Sequence, residues 1–161
     1  MQILIGVAAS LLGVIIGAFL TRWLDANYEQ RRQVRETVAA AMVLKAELYD
    51  SRINFNAMLE LNRFSGSYLF AGLKEWDAHS TLFLAAGMPH EDWNQLAWLF
   101  RKVLEITEST KGFERAELSE GWSEFLAGLS AECQEGEELL TPYCVEVSKL
   151  PRSRPMSVFG N

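Results

Sequence analysis

An all-α fold is predicted by three features of this chain. From Thr21 to Asn62 it has neither proline nor glycine, its apolar residues recur at helical spacing, and no segment alternates every two residues as a sheet requires. The architecture these features predict is an N-terminal transmembrane helix continuing into a small cytoplasmic antiparallel helical bundle. Four segments follow: 1–22 as anchor, 23–36 as polar juxtamembrane stalk, 37–141 as bundle and 142–161 as flexible tail.

The anchor is read from residues 3–20, an 18-residue apolar run whose one hydroxyl is Ser10. At ~1.5 Å per residue it covers roughly 27 Å, close to the hydrocarbon thickness of a bilayer. All 15 basic and 21 acidic residues lie beyond position 20. No lysine or arginine precedes the run and no small-residue cleavage site follows it, so a retained helix is expected rather than a signal peptide. Arg22, Arg31, Arg32 and Arg35 all come after it. By the positive-inside rule this predicts a single-pass protein of the inner (plasma) membrane, N-terminus outside and C-terminal domain cytoplasmic. Gly6, Ser10, Gly13 and Gly17 share one face, and Gly13 to Gly17 is a GxxxG. Small residues let two helix backbones approach closely, which predicts a helix–helix interface and a homodimer through the anchor.

Beyond the anchor, Glu29 to Glu36 is almost wholly polar and reads as a solvated stalk, its arginines at the lipid headgroups. Val34, Val38, Ala41, Leu44, Leu48, Phe55 and Leu59 then collect on one face of a long helix. Phe64-Ser65-Gly66-Ser67 interrupts it, and a short helix is expected near 67–74. Asp77 is placed as the N-cap of a helix carrying His79, Leu82 and Phe83, closed by Gly87 before Met88-Pro89. Glu91 and Asp92 favour a helix start at about 90, running to 109 with Trp93, Leu96, Ala97, Phe100, Val103 and Leu104 in its stripe. Lys111-Gly112 ends that helix. A last helix over 117–141 is expected to bury Trp122, Phe125, Leu126, Leu129, Cys133 and Leu140.

Several chemistries find no support in the sequence. The net charge of −6 argues against nucleic acid as a partner. His79, His90, Cys133 and Cys144 have ten residues within each like pair, whereas zinc ligands sit two to five apart. Cys133 falls in an apolar stripe and reads as a packed thiol, and His79 as a boundary histidine. There is no phosphate loop, dinucleotide fingerprint, HExxH or GxSxG, so no catalytic residue, metal or cofactor is expected. Ten glutamates between positions 105 and 138 stand against only Lys111 and Arg115 in that interval, a pattern that first of all solvates a helix face. Trp98 lies roughly 160° from the centre of its helix's apolar stripe, so it belongs either to a helix covered on two sides or to a partner surface.

Leu44-Lys45-Ala46-Glu47-Leu48, Leu73 to His79 around Trp76, Ala85-Ala86-Gly87 and Asp92 to Leu96 around Trp93 together resemble a loose group of uncharacterised actinobacterial-type proteins. Those proteins are single-pass, membrane-anchored and helical; the resemblance spans about residues 1–108 and implies topology and fold, with no activity. The expected function is a membrane-anchored, non-enzymatic interaction or scaffold module, self-associating and holding a cytoplasmic protein, with the lipid bilayer as a further partner. The alternative is a small membrane-acting phage or mobile-element protein of the exclusion or lysis type, with the anchor as effector.

Overall fold

A computed structural model describes residues 2–64, 72–110, 113 and 116–145 of the chain, with the backbone alone for 2–13, 15, 72 and 73. Four helices follow one another among these residues: α1 (Gln2–Leu61), α2 (Gly72–Ala85), α3 (His90–Thr110) and α4 (Glu120–Leu140), then a 3-10 turn, Thr141–Cys144. The described residues contain no strand, only an isolated antiparallel bridge between Arg63 and Glu117. The fold is all-α. The chain forms two compact units, Met1–Arg35 and Glu36–Asn161.

The first unit is the N-terminal part of α1, helical without a break at Asp25-Ala26-Asn27. Among the described residues no helix is long and apolar enough to cross a membrane, which overturns the single-pass, N-outside placement. The physical reason lies in the described side chains of α1, where Arg22, Asp25, Glu29, Arg31, Arg32 and Arg35 interrupt every long apolar window. Most of the run 3–20 lies outside the described side chains. Ile16, Phe19, Leu20, Trp23 and Leu24 are exposed.

In the second unit α1 contributes Thr37, Ala41, Leu44, Leu48, Ser51, Phe55 and Met58 to the buried interior. It ends as a helix of this composition should. Asn62 takes a left-handed φ of 47°, its N–H donates to the Leu59 carbonyl (3.2 Å), and the Arg63 N–H donates to Met58 (3.1 Å). Those two bonds satisfy carbonyls that a helix end would otherwise leave orphaned.

Helix α2 starts earlier than expected. Asp77 lies inside it and caps nothing, because Trp76 already packs in the core: its ring stacks on Phe83 (5.7 Å) and on Phe100 of α3 (5.4 Å). Burying that indole outweighs the local capping preference, since an aromatic side chain buries roughly 150–250 Å². The predicted stop holds. Gly87 has a φ of +92°, and the Gly87 and Met88 N–H groups donate to Leu84 (3.0 Å) and Phe83 (2.9 Å). The expected helix near 67–74 and the Lys111-Gly112 stop lie largely outside the described residues.

Helices α2 and α3 run antiparallel across this turn, with the Trp93 Nε1–H donating to the Ser80 carbonyl at 3.0 Å. Helix α3 buries Leu96, Phe100 and Val103 as predicted, and also Leu99 and Ile106, which widen the buried stripe. Helix α4 returns antiparallel to α3 and to α1: Lys102 meets Glu132, Arg52 meets Glu137 and Asn56 meets Ser130. Gly136 lets the three helices close, since a Cβ there would lie 2.7 Å from Leu99 Cδ2 and 2.8 Å from Leu48 Cδ1. Pro142 sits in the 3-10 turn, and Tyr143 and Cys144 pack against the core rather than leaving with the tail. Residues 146–161 lie outside the described part.

Candidate functional site

On α3, Trp98 and Lys102 are separated by one helical turn and therefore share a face. Across from them α4 presents Phe125 and Glu132, two turns apart. The Lys102 ammonium lies 4.2 Å from the centre of the Trp98 ring and 5.4 Å from that of Phe125. It donates to both carboxylate oxygens of Glu132, each at 2.8 Å. One lysine thus ties two aromatic faces and a carboxylate together. Its four-carbon stem, ordinarily mobile, is held on three sides.

The result is a firm amphipathic ledge. Trp98 is 55% exposed and Phe125 39%, although the sequence places Phe125 in the core. Phe125 turns outward because Leu126 and Leu129 already fill the adjoining core face of α4. What Phe125 gains in place of burial is Lys102 on its ring and an edge-to-face contact with Trp122 at 5.8 Å. Beside the ledge lies an open recess of about 310 Å³ lined by Trp98, Arg101, Lys102, Glu105, Ile106 and Phe125. The one signal for this site in the sequence was Trp98, off its helix's stripe; Phe125 and Lys102 gave none.

Gly6, Ser10 and Gly13 are helical in α1, with their surroundings outside the described side chains. A Cβ on Gly17 would meet nothing within 4 Å, and the Thr21 hydroxyl donates to the Gly17 carbonyl at 2.9 Å. Among the described residues, then, no other part of the chain lies against Gly17. His79 is half-buried, with Nε2 3.7 Å from Glu75 on the same helix.

Both cysteines are free. Burial pushes the Cys133 thiol up to about 12, with Glu132 and Glu137 adding to the effect, so at neutral pH it is a packed, protonated group. Burial raises the Cys144 thiol and the Tyr143 phenol as well. Among the described residues no group of three His, Cys, Asp or Glu side chains is placed to hold a metal ion.

Fold and site together define a small helical bundle with an aromatic–lysine ledge on its α3–α4 face. No family model matches the chain, and no curated protein or solved structure proves similar to it.

Proposed function

We propose that this protein is a non-enzymatic helical interaction module that holds a protein partner on the Trp98–Lys102–Phe125 face. The observation that carries this reading is the exposure of Trp98, stacked in place by a lysine that is itself tied to Glu132. An indole already ordered in the free protein loses little conformational freedom on binding, and tryptophan is a favoured anchor at the centre of interfaces. Arg101 lines the same recess, exposed and without an ion partner among the described residues. The partner that fits offers an apolar side chain to the recess and a carboxylate to Arg101.

The test is affinity purification with a C-terminally tagged full chain, comparing wild type, Trp98→Ala and Arg101→Glu at matched thermal stability. Proteins retained by the wild type and lost from both variants support the reading. An identical set of proteins on all three sinks it.

A further inference from the structure

In the first unit Ile16, Leu20, Trp23, Asn27, Gln30 and Val34 recur at alternating spacings of four and three residues. The same register runs on through Thr37, Ala41, Leu44, Leu48, Ser51, Phe55 and Met58, every one buried in the second unit. Alternation of four and three gives a mean period of 3.5, the spacing at which two helices keep one seam in mutual contact. From Thr37 onward that seam is buried within the chain. At Ile16, Leu20 and Trp23 it is exposed, and Phe19 and Leu24 beside it are exposed too.

We infer that this segment of α1 pairs in parallel with the same segment of a second copy of the chain. With Leu20, Asn27 and Val34 at the a positions and Ile16, Trp23 and Gln30 at d, the flanking positions hold Phe19, Leu24, Ala26, Arg31 and Gln33. Arg22, Asp25, Glu29, Arg32 and Arg35 all fall on the outer positions. The single flanking charge, Arg31, would lie beside Ala26 of the second copy, so no like charges meet across the seam. In parallel register Asn27 meets its own copy, and a carboxamide offers both a donor and an acceptor to its twin. A lone asparagine at an a position is a device that sets register and strand number.

The surface is of the right size. Taking aromatic side chains at 150–250 Å², the five exposed apolar residues on and beside the seam present roughly 600 Å² per copy. The stems of Asn27, Gln30 and Arg31 bring this toward the ~800 Å² per partner of an ordinary stable interface. Those same three polar residues, on one face with Trp23, suit a helical partner better than a lipid surface. The inference stands independently of the Trp98 face.

Sedimentation equilibrium on the full chain, with and without vesicles of zwitterionic phospholipid, is combined with oxidative crosslinking in a Cys144→Ser background. A dimer is expected without lipid, and Asn27→Cys gives a disulfide-linked dimer while Asp25→Cys, on the outer face, does not. Leu20→Glu with Trp23→Glu raises the dimer dissociation constant about 100-fold or more, with the urea midpoint of the bundle unchanged. A monomer at micromolar concentration overturns the inference, whether or not it sediments with the vesicles. So does equal crosslinking at 27 and 25, or a dimer indifferent to the double glutamate variant.

Discussion

Arg52 Nε on α1 lies 2.7 Å from Glu137 Oε1 on α4, a contact between residues 85 positions apart in sequence. The Arg52 side chain is 26% exposed and that of Glu137 only 11%. Their hydrogen bond raises the pKa of Arg52, so the guanidinium stays charged throughout the useful pH range. Replacing Arg52 with Met leaves an unpaired carboxylate in a nearly closed site. That variant should lose about 1–3 kcal/mol in urea unfolding, between the values for exposed and fully buried pairs. Arg52→Met combined with Glu137→Leu should recover most of the loss, because neither charge then has to be desolvated.

Gly136 and Gly128 lie on the same helix and should respond to alanine with opposite signs. At Gly136 the new methyl group meets Leu99 and Leu48, both held in the core. Overpacking of about 1–3 kcal/mol exceeds the gain of up to ~1 kcal/mol in helix propensity, so Gly136→Ala destabilises. A Cβ at Gly128 meets nothing within 4 Å. Gly128→Ala should therefore stabilise by about 0.5–1 kcal/mol in the same assay.

Gly87 holds a φ of +92°, a conformation that side-chain-bearing residues avoid. There is open space for a methyl group at this site, so the expected cost of Gly87→Ala is purely one of backbone strain. About 1 kcal/mol is expected from thermal unfolding. No loss would mean that the α2–α3 turn relaxes without penalty.

Alkaline pH should destabilise the bundle through Cys133. Its thiol is raised from 9.0 to about 12 in the folded chain. Between these values the unfolded state gives up its proton while the folded state keeps it. Stability is then fully present below pH 9 and falls as pH rises, at up to ~1.4 kcal/mol per pH unit. Cys133→Ala should flatten that slope in urea titrations at pH 8 to 11, whatever its effect on stability at neutral pH. In the native state thiol reagents should label Cys144, which is half-buried, well before Cys133.

Trp98→Ala should change stability by less than about 1 kcal/mol, the scale of an exposed cation–π contact. Lys102→Met, which also gives up Glu132, should cost about as much. A loss above ~3 kcal/mol for Trp98→Ala in urea unfolding would mark the indole as a support of the bundle rather than a contact for a partner.

Most of the fold was legible because helix signals are local. The all-α class, a break in α1 by Phe64, the stop at Gly87 and the start of α3 near Glu91 follow from backbone preferences and first-turn charge that a few neighbouring residues specify. The site was legible only at Trp98. Phe125 has the same helical spacing as its buried neighbours, and nothing local distinguishes the aromatic residue that turns outward.

By itself, then, the amino-acid sequence determined which segments are helical, where most of them stop, and that Cys133 is packed. The tertiary structure alone decided that α2 begins before Asp77, that Leu99 and Ile106 widen the buried stripe of α3, and that Tyr143 and Cys144 return to the core. It also overturned the membrane-spanning placement among the described residues. Periodicity names the face of a helix that seeks cover, whereas the neighbour that supplies the cover comes from residues far away in the chain. The Trp98–Lys102–Phe125 ledge exists because α4 returns across α3 at that height, a fact no window of local sequence contains.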